Sequence, residues 1–312
     1  MASRPARRRL GALVALLALA GCGDLPQPFR GRPGGLAPQL TPPPAYRIAV
    51  PAPTAALLTD AGGGTYAVAL ADALEAAEVP AVAGPPLPLD WRLTIRAERE
   101  GQNVVPAYAL ADADGTVLGE TRGAPVPLAD WGAGTEAMLK RVAGRDAQAV
   151  VTMLTRVDAA GRATNPADLA GRAPPRVRLV PVRGAPGDGN RSLSTRMAEF
   201  LGGKGLVVQD QADGAGFAVQ GEVHVAQGAN GTQRIEIQWI VTRRDGEEMG
   251  RAVQLNEVPR GSLDGLWGDV AYVVAEEASQ GIRDIIANAG GFGPVPARAD
   301  APAPQEAPRP AP

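Results

Sequence analysis

Two stretches of the chain alternate apolar and polar residues with a period of two. One carries Val104, Pro106, Tyr108 and Leu110; the other carries Ile235, Ile237, Trp239 and Val241. Such alternation predicts half-buried strands with one wet face. Each stretch runs into an Asp-Gly turn, Asp114-Gly115 or Asp245-Gly246, which is a strong hairpin signal. A further glycine, Gly119 or Gly250, follows four residues later.

The surrounding pattern repeats as well. Arg47-Ile48-Ala49-Val50 and Arg178-Leu179-Val180-Pro181 open as short apolar strands. Helical patterns over 66–75 and 193–202 then align, with Leu70 matching Met197, Ala71 matching Ala198, Asp72 matching Glu199 and Leu74 matching Leu201. The next strands open on an aromatic, Trp91 or Phe217, and a Trp-Gly pair, Trp131-Gly132 or Trp267-Gly268, precedes a long helix in each half. In the second half Trp267, Val270, Val274, Ala278, Gly281 and Ile285 are expected on one helical face. The fold class is therefore α+β: two tandem copies of a β-α-β-β-β-α sandwich, with a possible short edge strand and helices on one face of a mainly antiparallel sheet. The copies span 46–157 and 176–290. Residues 158–175 carry Gly161, Asn165-Pro166 and Pro174-Pro175 and are expected to form the linker between them.

The ends have a different character. Arg4, Arg7, Arg8 and Arg9 precede an apolar run from Leu10 to Ala20. As a helix that run covers only about 16 Å, too short for the ~30 Å hydrocarbon layer, and it fits the core of a signal peptide over 1–21. Leu19-Ala20-Gly21-Cys22 resembles the lipobox of bacterial lipoproteins. The resemblance implies cleavage before Cys22, a diacylglyceryl thioether on its sulfur and an acylated new amino terminus, including palmitate-type chains. Several acyl chains hold a protein firmly where one does so marginally. By resemblance to Gram-negative lipoprotein sorting, an Asp after the Cys would imply retention at the inner membrane, and Gly23 in that place implies the periplasmic face of the outer membrane. Residues 22–45, rich in Pro and Gly, are expected to be a flexible tether, and 291–312, nearly all Pro and Ala towards the end, a disordered tail.

Composition narrows the chemistry. The formal net charge is -2, and the basic residues form no stripe interleaved with aromatics, which argues against nucleic acid. One cysteine (Cys22) and one histidine (His224) exclude an intramolecular disulfide and multi-Cys or multi-His metal sites within the chain. No cofactor is expected. With aromatics at 4%, the core must rest on Ala, Val, Leu and Ile around anchors such as Trp91, Trp131, Trp239 and Trp267.

Candidate chemistry concentrates in two loops of the second copy. Gly184-Ala185-Pro186-Gly187-Asp188-Gly189-Asn190 precedes a helix expected near Ser192, and Val258 to Gly268 precedes the last one. Free N–H groups at a helix start can hold an anion. The first loop has neither Lys nor Arg and matches neither a P-loop nor a dinucleotide fingerprint. The plainer alternative is capping: Asn190 or Ser192 for the first helix, and Ser262 or Asp264 for the second with Trp267 packed beneath. If the loops meet, Gly187, Asp188, Gly189, Asn190, Ser262, Asp264, Gly265 and Trp267 would form a small polar pocket beside an aromatic wall, suited to a sugar or peptidoglycan fragment. In the first copy Gly62-Gly63-Gly64-Thr65 and Pro127-Leu128-Ala129-Asp130 stand in place of these loops, so any site is expected in the second. Asp188 with Asp264 could serve as acid and base on a glycosidic bond. Ser192 and Ser262 have only His224 as an imidazole partner, and it sits mid-strand between Val223 and Val225.

The order of elements on a lipidated envelope chain is similar to the amino-terminal domain of TolB, to penicillin-binding-protein activator lipoproteins and to lipopolysaccharide-assembly lipoproteins. The second copy's loops also resemble an uncharacterised bacterial lipoprotein family. These resemblances imply a non-enzymatic scaffold or partner-binding protein of the envelope, attached to the membrane through Cys22. The alternatives are a module that binds glycan or lipid head groups and, further off, an envelope hydrolase.

Overall fold

The computed structural model describes residues 45–164 and 174–292. The signal-like segment, Cys22, the tether, the middle of the linker and most of the tail lie outside the described residues.

The first half runs β1 (Ile48–Val50), α1 (Asp60–Glu75), β2 (Ala81–Ala83), β3 (Trp91–Glu100), β4 (Asn103–Ala111), β5 (Val117–Arg122), β6 (Val126–Pro127), α2 (Leu128–Ala133) and α3 (Glu136–Thr164). The second runs β7 (Arg176–Arg183), α4 (Gly189–Gly203), β8 (Val207–Gln209), β9 (Phe217–Gln227), β10 (Thr232–Arg243), β11 (Glu248–Pro259) and α5 (Gly268–Asn288). Strand order is β2-β1-β3-β4-β5 in one sheet, with β6 also on β4, and β8-β7-β9-β10-β11 in the other. The two orders are the same topology.

Both halves are α+β with helices packed on a mainly antiparallel sheet, as the periodicity predicts, and each sheet also has a parallel part. The β1 and β7 strands pair in parallel with both neighbours, β2 and β3 or β8 and β9. The β3–β4–β5 and β9–β10–β11 meanders are antiparallel. Three-residue strands β2 and β8 supply the extra edge. They follow α1 and α4 closely, so β1-α1-β2 and β7-α4-β8 are crossover units.

The repeat is physical as well as topological. Tyr66, Leu70 and Leu74 on α1 and Leu193, Met197 and Leu201 on α4 are fully buried at corresponding helical positions. Each meander has a bulge next to its Asp-Gly turn, at Leu110/Ala111 and Val241/Thr242. Beyond it Gly119 lets Met153 approach, and Gly250 does the same for Ile285; a Cβ at either would stand 3.1 or 3.3 Å from that side chain. The missing side chain sets how closely the long helix presses on the outer strand.

Two expectations shift. Helix α3 continues to Thr164, through Gly161, so the segment expected as linker from 158 begins as helix. On α5 the buried face is Ala271, Val274, Ala275, Ala278, Ile282 and Ile286, while Val270 and Gly281 are exposed. The first turns of α5 are apolar nearly all round (Val270, Tyr272, Val273, Val274), so the period alone allows more than one stripe. Packing on α4 selects among them: Tyr272 meets Phe200 edge-on at 5.0 Å, under the Arg196 guanidinium.

Each half has its own core, and a small third cluster of Leu89, Ala212, Ala215 and Ala218 joins them. The contacts are reciprocal. The β4–β5 turn reaches the second half, where the Asp114 carboxylate accepts the Ala212 and Asp213 N–H groups and lies 3.5 Å from Arg178 Nη2. The β10–β11 turn reaches back, where Arg244 O accepts from Arg47 N and the Arg244 guanidinium covers the Tyr46 ring. No helix among the described residues is long and apolar enough to cross a membrane.

Candidate functional site

The two glycine-punctuated loops of the second half meet. Asp188 N donates to Gly265 O at 3.1 Å, and the Asp188 carboxylate reaches across to accept the backbone N–H of Trp267 at 2.8 Å. Its other oxygen accepts from Ser192 Oγ at 2.9 Å. Asp188 is the N-cap residue of α4, yet it makes no side-chain cap bond to that helix. Its carboxylate instead ties the start of α4 to the start of α5.

The expected capping residues therefore have other roles. Helix α4 begins at Gly189, not near Ser192, and Asn190 Oδ1 accepts from Ala185 N, folding the loop back on itself. Neither Ser262 nor Asp264 caps α5. The N-cap position is Trp267 itself, and no side chain caps that helix by the usual local bond. Its first donor is served instead by a carboxylate 79 residues away in sequence.

The glycines are explained by this junction. At Gly187 φ is +59°, and a Cβ there would stand 2.1 Å from Gly265 O; one at Gly189 would stand 2.5 Å from the Trp267 ring. Close approach is thus demanded by the neighbouring loop. Trp267 is 1% exposed, and its Nε1 donates to Leu263 O at 3.1 Å. The aromatic wall expected for a ligand is consequently inside the core. What faces outward is Asn190, Ser262, Asp264, Gly265 and Leu266. Asp188 and Asp264 are brought into adjacent loops, but both oxygens of Asp188 already accept hydrogen bonds. His224 is exposed on β9, 3.8 Å from Glu222.

Replacing Asp188 with alanine removes a charged acceptor from two donors and should lower unfolding stability by about 2–3 kcal/mol in a urea titration. Asp188→Asn keeps an acceptor for Trp267 N–H and should cost under about 1 kcal/mol. Equal, negligible costs for both variants would show that the carboxylate does not hold the loops together.

The first half differs from expectation in two ways. Gly62, Gly63 and Gly64 form the first turns of α1, capped by Thr59 Oγ1, which accepts from Gly62 N at 3.2 Å. They are helix, not loop. A concavity of about 260 Å³ opens beside them, lined by Leu58, Thr59, Gly62, Gly132, Gly134 and Glu136. The first copy thus retains a hollow at the place where the expected pocket was assigned only to the second.

The core of the first half also holds a polar chain that periodicity does not reveal. Tyr108 Oη donates to Asp146 Oδ2 at 2.8 Å, and Tyr66 Oη, its own proton then free, donates to Tyr108 Oη. Arg145 Nε donates to Asp146 Oδ1 at 2.7 Å, and Gly123 leaves room for the carboxylate, since a Cβ there would collide with Oδ2. Burial, first of all, raises the phenols of Tyr66 and Tyr108 well above their ordinary value; the nearby Asp146 charge adds to both. By the shared topology the second half has Leu193, Trp239 and Ala278 at these places, and Trp239 Nε1 is buried there with no hydrogen-bond partner among the described residues. One signal of it exists in the sequence: Asp146 lies on the apolar stripe formed by Val142, Ala143, Ala147 and Val150. Among the described residues no group of three or more His, Cys, Asp or Glu is placed to hold a metal ion.

No family model and no curated protein matches the chain. Among solved structures it is similar to the PelC dodecamer from Paraburkholderia phytofirmans, at 15% identity and TM-score 0.25, over 34% of this chain and 86% of that one. It is similar to the hypothetical protein CT253 from Chlamydia trachomatis, at 12% identity and TM-score 0.26, over 38% and 97%. A minor lipoprotein from Acinetobacter baumannii matches at 15% identity and TM-score 0.25, over 38% and 95%. The neighbours thus include a bacterial lipoprotein and a hypothetical bacterial protein, each matched over little more than a third of this chain. At these TM-scores the likenesses say nothing about activity.

Proposed function

We propose that this chain is a lipoprotein anchored through Cys22 at the periplasmic face of the outer membrane, where it works by contact as a scaffold for an envelope partner and not by catalysis. The observation that carries the reading is the stapled loop pair. Asp188 and Trp267, the side chains a ligand pocket would have needed, are turned inward to lock α4 to α5. The same lock presents Ser262, Asp264 and Leu266 on a rigid frame, with Leu266 85% exposed. An apolar side chain held out in this way suits a protein surface better than a sugar, which would want the buried Trp267 face. The Leu-Ala-Gly-Cys segment after an Arg-rich, apolar start supports the anchor.

Fractionation and cross-linking in whole cells test it. Cys22→Ser should raise the amount of soluble periplasmic protein at least about tenfold, since the acyl chains supply the membrane affinity. A photo-cross-linking residue at position 266 should yield a discrete protein adduct that the same residue at the exposed position 60 does not. A Cys22→Ser chain that stays in the membrane fraction, or equal labelling from both positions, would refute the proposal.

A further inference from the structure

Strand β11 is the outer strand of the second sheet, and the backbone of residues 249–258 bonds only to β10 among the described residues. Long, flat edges are usually blunted by lysine, proline, bulges or shortness. The other sheet edges here are short: β2 and β8 have three residues each and β5 has six. Strand β11 has twelve, an edge about 40 Å long. Its bulge lies at the start and Pro259 at the end, and between Arg251 and Val258 there is neither Lys nor Pro.

The strand is also self-complementary. In an antiparallel pair, residues directly opposite lie on the same face. When β11 meets a second copy about a two-fold axis at Gln254, Arg251 of each copy opposes Glu257 of the other, and Val253 opposes Leu255. All four side chains lie on the sheet face away from α5, where Val253 is 47% and Leu255 53% exposed. Centring the axis on Val253 sets Arg251 against Leu255, and centring it on Leu255 sets Val253 against Glu257. Only the Gln254 register matches charge with charge and apolar with apolar. Gln254 itself points to the helix side, where its Nε2 donates to Val274 O and Glu277 Oε2 and so holds the Glu277 carboxylate to its own subunit.

We infer that β11 pairs with β11 of a second copy of this chain, joining two five-stranded sheets into one. The inference concerns a different surface from the 184–190 and 258–268 loops and does not rest on the reading given for them.

A charge-swap mixing experiment tests it. The full chain is followed by sedimentation velocity in one mild detergent over a concentration series. The unmodified chain should pass from monomer to dimer. Arg251→Glu and Glu257→Arg each place like charges opposite one another twice, and each should weaken dimerisation at least about tenfold. Mixed in equal amounts they form two opposite-charge pairs, and the mixture should recover dimerisation to within about threefold of the unmodified chain. Near-ultraviolet circular dichroism checks that each variant is folded. If either is not, Val253→Glu and Leu255→Lys test the register from exposed positions. Each alone sets a charge against an apolar side chain twice and should weaken dimerisation, and the mixture restores one opposite-charge pair and one apolar pair. A chain that stays monomeric up to about 100 μM overturns the inference. So does a single variant that dimerises as the unmodified chain does, or a mixture of folded variants that stays monomeric.

Discussion

Replacing Trp267 with alanine should destabilise the second half by about 3–5 kcal/mol, the usual cost of deleting a large buried aromatic. Trp267 is among the most deeply buried large side chains, with Leu263 O holding its indole nitrogen and Gly189 pressed against its ring. Against a typical total of about 5–15 kcal/mol, such a loss removes a large share of the stability. Asp264→Ala, at an exposed position in the same loop, should stay within about 0.5 kcal/mol. Gly189→Ala forces a methyl group into the ring and should cost about 1–3 kcal/mol by overpacking. Urea titrations of the three variants decide the matter. Were Trp267 a movable wall for a ligand, its truncation would be cheap and Gly189→Ala would be tolerated.

The second large effect is expected at alkaline pH. Tyr66 and Tyr108 are raised in the folded state above their ordinary value of 10.0, chiefly by burial. Above that pH the unfolded chain loses phenolic protons that the folded chain keeps, so the folded state binds more protons and stability must fall as pH rises. Below about pH 10 the contribution is fully present; above it, each tyrosine removes up to about 1.4 kcal/mol per pH unit, and the two together about 2.7. The window is unusually clear of amines, because Lys140 and Lys204 are the only lysines in the chain. Tyr66→Phe keeps the Tyr108–Asp146 bond and should halve the slope. The measurement is urea stability at pH 9, 10, 11 and 11.5, with tyrosinate absorbance followed alongside. A flat profile across that range, or the same slope in Tyr66→Phe, would mean that the buried chain of hydroxyls does not hold its protons in the fold.

These two predictions concern residues that stand out in the sequence to different degrees. Trp267 is visible as one of four tryptophans at a repeated Trp-Gly junction, yet the direction its ring turns is not. The sequence allows both a packed and a ligand-facing indole, and only the position of Gly189, which belongs to another element, selects the first. Asp146 is visible only as an acid among apolar neighbours on a helix. Its partners Tyr66 and Tyr108 lie on a different helix and a strand, too far along the chain for local spacing to show them.

What the chain determined by itself is the order and type of its elements, their repetition and the strand faces that are buried. Those depend on local periodicity: leucine and methionine four residues apart on α1 and α4, alternation along β4 and β10, and Asp-Gly turns whose backbone needs a positive φ. Tertiary structure alone decided the parallel placement of β1 and β7 inside each sheet, the rotation of α5, the Asp188 bond to Trp267 and the hydroxyl chain to Asp146. Each of these is a choice between arrangements that satisfy the same local pattern. Such choices are settled by hydrogen bonds and close contacts between residues far apart in the chain, and no window of neighbouring residues contains both partners.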